Sequence, residues 1–530
     1  MNKVLKHGWA SAALALAMGI CLAGCATVAP LDNVVILSSG TVSGNPRDAS
    51  GIVSFKGIPY AAPPVGKLRW KEPQPVQPWA GTRDATKFGP HCWTSSAFDG
   101  QVQNGNAGED CLSVNVWSGA KGRSDKLPVM VWIYGGGFQF GASSDPVSDG
   151  SKLAGKGVVV VSFNYRLGVF GFLSRPDLDA ESNGHQSGMY GLHDQVAALK
   201  WVKANVNAFG GDPNNITIFG ESAGAHSVGF LLASPLTEGL FNKAIASSGA
   251  FWQSKMKTYA NAQVAGMELS TKMNAPTLEA LRAIPADQLQ KSTNWTFAVP
   301  QSFAPTIDGY FMPEPPYVRF MKGLQRNVPL LVGWNADEAI PFVNYRFPFN
   351  TVQAFTDAAS KIFGSENLND FLKVYPADTA AQAAVSSMAE LGDITIKYQV
   401  WGMANQHQKT SHSPVYIYNF GFRSPFTPIP THVTDVGYVF GTLTPTPFNK
   451  GKAAAEDVAM SEKMQTYWTN FARTGTPNGN GLPQWPQYYG SGSQALHLGN
   501  VIEAGQEEGT ARFLFLDKFR INGVFTPPQQ

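Results

Sequence analysis

The chain has 530 residues, of which 43% are apolar and 15% charged, with a formal charge of +2. That apolar fraction suits a sizeable buried core and excludes an intrinsically disordered chain. A near-neutral balance without a Lys/Arg block gives no electrostatic footprint for nucleic acid, so no nucleic-acid partner is expected.

In chain order, Lys3 and Lys6 precede an apolar stretch over 9–24 that is shorter than the roughly 20 residues of a membrane span. Residues 1–24 are expected to be a signal peptide. Its end, Leu22-Ala23-Gly24-Cys25, resembles a bacterial lipobox, in which cleavage precedes Cys25 and a lipid on its sulfur tethers the protein to a membrane. An ordinary secretory signal with a chance cysteine is the alternative. The expected location is periplasmic or outer-membrane-anchored, or else secreted. Cys21 would leave with the signal, so Cys92 and Cys111 are the pair left to form a disulfide after export, with two free thiols as the alternative. On a chain-entropy argument, a bridge closing about 20 residues contributes roughly 3 kcal/mol.

Short apolar runs then recur at 129–134, 158–163, 216–219, 329–332 and 415–418. Such runs suit strands buried on both faces of a mostly parallel sheet. Between the second and third, Leu192, Val196, Leu199, Val202 and Val206 follow a helical spacing that stops at Gly210-Gly211. This alternation predicts an α/β fold, with helices on both faces of one sheet, in a single catalytic domain over 31–530. The Pro-rich stretch 59–78 and the region 256–313 are expected to be loop and helical excursions over the site.

The third run ends in Gly220-Glu221-Ser222-Ala223-Gly224. A strand-to-helix turn that lifts a serine Oγ clear of its own backbone crowds its neighbours, so small residues are needed on either side. The pentapeptide alone is a weak signal in a chain with 54 glycines. Ser222 also needs a base, an orienter for the base, and donors for an oxyanion. The run 129–134 leads into Gly135-Gly136-Gly137-Phe138, whose bare backbone suits an oxyanion loop, with the Ala223 N–H as a further donor. The fourth run leads to Asp337-Glu338, and His432 follows the fifth. The order Ser222, Glu338, His432 is that of an α/β-hydrolase. His226 competes for the base, but four residues beyond Ser222 it falls a turn down the next helix and reads as a packing residue.

The chain resembles the type-B carboxylesterases, the cholinesterase-like branch of the α/β-hydrolases, along nearly its whole mature length. The motifs are Phe55-Lys56-Gly57-Ile58-Pro59-Tyr60-Ala61, Pro63-Pro64-Val65-Gly66, Leu68-Arg69-Trp70, Glu109-Asp110-Cys111-Leu112, Asn115-Val116, Phe163-Asn164-Tyr165-Arg166, Gly191-Leu192-His193-Asp194-Gln195 and Phe209-Gly210-Gly211-Asp212-Pro213. The resemblance implies Ser222 as nucleophile, Glu338 as acid and His432 as base. It also implies an oxyanion hole of Gly136, Gly137 and Ala223, electrostatic support from Glu221, and a disulfide between Cys92 and Cys111. Three positions depart from the family: Ala339 and Val433 replace glycines and Asp435 replaces a common glutamate. Gln101 falls where the choline-binding members carry an aromatic ring, so a choline-ester preference is not expected.

The expected chemistry is two-step acyl transfer to Ser222 from a small-molecule ester, with no metal or organic cofactor and no obligate protein partner. A non-catalytic binding protein, and an amidase or acyltransferase using the same residues, are the alternatives. Phe342, Tyr345, Phe347 and Phe349 are candidates to line the substrate pocket, or simply to pack.

Overall fold

The computed structural model describes residues 31–95, 106–182, 184–251, 256–294, 301–342, 349–445, 449, 451–521 and 524–525. Its centre is a ten-stranded sheet. In chain order the strands are β1 (Val53–Pro59), β2 (Ser113–Ser118), β3 (Leu127–Ile133), β4 (Val159–Phe163), β5 (Gly211–Glu221), β6 (Lys243–Ser247), β7 (Leu330–Asn335), β8 (Val415–Phe420), β9 (Gln494–Leu498) and β10 (Ile502–Gln506). Across the sheet they lie in the order β10-β9-β8-β7-β6-β5-β3-β4-β2-β1. The pairs from β9 to β4 are all parallel, and antiparallel pairs close both edges.

All five predicted apolar runs are strands of this parallel block, because they are buried on both faces and need no alternation. The other five strands, β1, β2, β6, β9 and β10, escaped the periodicity reading, and for β6 the reason is plain. Lys243-Ala244-Ile245-Ala246-Ser247 holds a single large apolar residue, yet all five residues are buried between β5 and β7. The small side chains suit the close packing of helix α2 (Ala223–Ala233) over this part of the sheet.

The predicted helix is Tyr190–Asn205, here α1, continued by a 3-10 turn that ends at Gly210 with φ +79. It is buried nearly all round, and two of its polar residues are gripped by specific partners. Arg166 Nε and Nη2 each donate to the Asp194 carboxylate at 2.8 Å, and Gln195 Nε2 donates to Ser227 Oγ of α2 at 2.9 Å. Two of the quoted motifs thereby lock α1 and α2 to the sheet. Two others meet where Arg69 grips Glu109 with a pair of 2.6 Å hydrogen bonds, beside the Cys92–Cys111 disulfide. Among the described residues no helix is long and apolar enough to cross a membrane. Cys25 and the rest of 1–30 lie outside the described residues.

Candidate active site

β5 runs to Glu221 and α2 begins at Ala223, so Ser222 alone makes the turn, at φ +54 and ψ −122. A non-glycine residue held there costs about 1–3 kcal/mol and persists only where its surroundings over-determine it. They do so here. A Cβ on Gly220 would lie 2.6 Å from the Gly224 backbone, and one on Gly224 would lie 2.0 Å from the Ile133 carbonyl oxygen. The Ser222 N–H donates to the Ser247 carbonyl of β6 at 3.0 Å, and the Ser222 carbonyl accepts from the His226 N–H at 2.9 Å.

The glycine loop leaves β3, the parallel neighbour of β5, with Ile133 opposite Gly220. Gly136 has φ +102 and Gly137 φ +61, and a Cβ on Gly136 would lie 2.1 Å from the Phe140 carbonyl oxygen. Only glycine fits such a bend. At its start, a Cβ on Gly135 would come within 3.0 Å of Ser222 Cβ, which puts the loop against the elbow.

Glu338 follows β7, and His432 precedes the helix Thr434–Phe440, here α3, which follows β8. A parallel bridge between Asp337 and Thr431 holds their loops side by side. His432 Nδ1 lies 2.6 Å from Glu338 Oε2. The other oxygen, Glu338 Oε1, accepts from Ser248 Oγ at 2.6 Å and from the Asn335 N–H at 2.7 Å. His432 Nε2 stands 3.2 Å from Glu221 Oε1. Among the described residues no hydrogen bond joins Ser222 Oγ to His432; the imidazole faces the residue before the serine. Phe342 packs edge-on against the His432 ring with centroids 5.1 Å apart.

Burial and charge oppose each other throughout this cluster. Burial works against a charged His432, but the carboxylates of Glu221 and Glu338 outweigh it and raise the imidazole pKa. Burial would raise Glu338, yet His432, Ser248 and the Asn335 N–H hold it below the ordinary carboxylate value. Burial, with the neighbouring Asp435 and Glu338 carboxylates, raises Glu221 against the pull of His432. Burial raises Asp435 as well, against the hydrogen bonds it accepts from Tyr418 and Asn335.

Of the other sequence candidates, His226 places Nδ1 2.9 Å from the Ser222 carbonyl oxygen, on the backbone side of the elbow. Ala339 is buried without a special backbone angle. Val433 keeps the left-handed conformation that glycine adopts easily, at φ +68 and ψ −3. For a β-branched residue this is strained. Phe349 packs on Phe355, whereas Tyr345, Phe347 and Gln101 lie outside the described residues.

The sequence reading missed Ser248, Asn335 and Tyr418. Asn335 Nδ2 donates at 3.1 Å both to Ser248 Oγ and to Asp435 Oδ1, and Tyr418 OH donates to Asp435 Oδ2 at 2.6 Å while lying 2.8 Å from Ser247 Oγ, from which it can accept. Their signal was position: each lies at or just past the carboxyl end of a strand, or in it on the same side. Among the described residues no group of three or more His, Cys, Asp or Glu is arranged to hold a metal ion.

A mostly parallel sheet with helices, a serine at a strained strand-to-helix turn and an acid and histidine in loops after later strands define an α/β-hydrolase. Residues 31–514 match the carboxylesterase family, and the chain belongs to it. It is 37% identical over 485 residues to the fumonisin B1 esterase of Sphingopyxis macrogoltabida, covering 89% of this chain and 87% of that one. It is 34% identical over 501 residues to the para-nitrobenzyl esterase of Bacillus subtilis (strain 168), covering 92% and 99%. A solved thermophilic PNB esterase superposes with a TM-score of 0.78 at 33% identity, covering 91% of this chain and 99% of that one. The protein is a carboxylesterase.

Proposed function

We propose that this enzyme hydrolyses small-molecule carboxylic esters through an acyl-enzyme on Ser222. His432 takes the Ser222 proton, the oxygen attacks the ester carbonyl, and the tetrahedral oxyanion is met by the N–H groups of Gly136, Gly137 and Ala223. The alcohol leaves with a proton from His432, and water clears the acyl group by the same route. Glu338 fixes the tautomer that leaves Nε2 free to act and stabilises the imidazolium that forms. For the first step Nε2 must turn from Glu221 to the adjacent Ser222 Oγ, a tightening expected on substrate binding. The observation that supports the reading is the buried 2.6 Å pair of His432 and Glu338 beside a serine held in a strained elbow.

Ser222→Ala tests it. The variant is expected to keep its melting temperature and to lose at least about 1,000-fold in kcat on a short p-nitrophenyl ester. Retention of most of the activity would contradict the assignment. A panel varying acyl and alcohol size, with fungal-toxin esters included because of the relative named fumonisin B1 esterase, would then define the substrate.

A further inference from the structure

The glycine loop is tied to a segment far away in the chain by two glutamines that reach in opposite directions. Gln301 Nε2 donates to the Gly137 carbonyl at 2.7 Å, and Gln139 Nε2 donates to the Phe303 carbonyl at 2.6 Å. Gln139 and Phe303 are buried. The far segment is itself fixed: the Thr306 N–H meets Met189 Sδ at 3.3 Å, Thr306 bridges to Lys257, and Lys257 Nζ donates to the Ser302 carbonyl at 3.0 Å.

Planarity makes these contacts consequential. In a trans peptide the C=O and N–H point opposite ways, so holding a carbonyl also aims the N–H of the next residue. The Gly136 carbonyl accepts from the Gln139 and Phe140 N–H groups at 3.0 and 3.1 Å, which aims the Gly137 N–H. The plane on the other side of Gly137 is held by Gln301. Gly137 has φ +61 and no side chain to restrict it, so its two torsions depend on these flanking planes. Other bonds grip the loop further on, from the Gly168 N–H to the Phe138 carbonyl at 2.7 Å and from the Ser95 N–H to the Gln139 carbonyl at 2.8 Å. Neither touches the Gly137 carbonyl.

We propose that Gln301 and Gln139 form a reciprocal clasp that positions the oxyanion hole, with Gln301 setting the conformation of Gly137. The clasp rests on the acyl-enzyme reading above. Neither glutamine is a catalytic residue; both act through the loop backbone.

Gln301→Met keeps the length and removes the donor, whereas Gln301→Lys keeps a donor. Each full-length variant is assayed for kcat and KM on p-nitrophenyl butyrate and for inhibition by a trifluoromethyl ketone, which forms the tetrahedral adduct. Misplacement by about an ångström costs on the order of 100-fold, so Gln301→Met is expected to lower kcat by about 10- to 100-fold with KM within about twofold. Ketone affinity should fall by the same factor as kcat/KM. Gln301→Lys should recover most of both, and Gln139→Met, which removes the return bond, should change them in the same direction as Gln301→Met. Unchanged kcat and ketone affinity in Gln301→Met would overturn the clasp, as would a loss that appears only in KM or that Lys fails to restore. Fluorophosphonate labelling of wild-type Ser222 separates the two failures. Labelled wild type with an unaltered Gln301→Met variant overturns the clasp alone, and unlabelled wild type overturns the acyl-enzyme reading with it.

Discussion

His432 feels three buried carboxylates, those of Glu221, Glu338 and Asp435, and they differ in how well they are solvated by the protein. Glu338 accepts two hydrogen bonds besides that of the histidine, so it is the group best able to keep its charge. Glu221 reaches only the far nitrogen of the ring, and its charge is the larger electrostatic reason that the imidazole is raised. Under the proposed mechanism His432 must be neutral to act, so kcat/KM falls on the acid side as it takes a proton. Removing the Glu221 charge lowers the imidazole pKa, and Glu221→Gln is therefore expected to move that acid limb to lower pH. A pH profile of p-nitrophenyl ester hydrolysis over roughly pH 5 to 9 checks this, and a shift to higher pH or none would contradict it. At this scale the positions of the candidates Ser222, Glu338 and His432 were legible in the sequence because glycines and strand ends mark them, and the structure brings Glu338 and His432 together. Ser248 was not, since a serine after a strand of alanines carries no pattern of its own, and its role is visible only where its hydroxyl meets Glu338.

The elbow works because two adjacent elements approach almost to backbone contact. Helix α2 starts so close to the end of β3 that Gly224 has no room for a methyl group: its Cβ would lie 2.0 Å from the Ile133 carbonyl oxygen and 3.0 Å from the Tyr134 carbonyl carbon. Both are backbone atoms and cannot rotate away. Overpacking a core typically costs about 1–3 kcal/mol, so Gly224→Ala is expected to lower the urea midpoint correspondingly and to displace the start of the glycine loop, with loss of ester hydrolysis. A variant as stable and as active as the parent would show that α2 and β3 are free to separate. Element assignment from sequence succeeded for five large apolar runs buried on both faces and failed for the other strands, most plainly at β6. That strand is buried just as deeply, but by close approach of small residues, which hydrophobic periodicity does not register.

Across the whole molecule, the candidate site is collected at one end of the parallel block from five strands, β3, β5, β6, β7 and β8, that follow one another across the sheet. Each delivers its contribution just beyond its carboxyl end: the glycine loop, Ser222, Ser248, Glu338 and His432. The parallel topology brings residues from 136 to 432 into one cluster without a dedicated scaffold, and the motifs that looked like family signatures turn out largely to brace it, through Arg166–Asp194, Arg69–Glu109 and the Cys92–Cys111 bridge. The chain order Ser222, Glu338, His432 after successive apolar runs was open to sequence reasoning; the clasp between Gln139 and Gln301 was not, since its glutamines bond to backbone atoms, which carry no residue identity. The central claim is that Ser222 is an activated nucleophile in the intact enzyme. Its most direct test is reaction of the full-length protein with a fluorophosphonate probe, followed by peptide mass mapping and an assay of residual ester hydrolysis. The account predicts one adduct per chain, on Ser222, formed in step with loss of activity; complete inactivation with the adduct elsewhere, or full activity after Ser222 is modified, would contradict it.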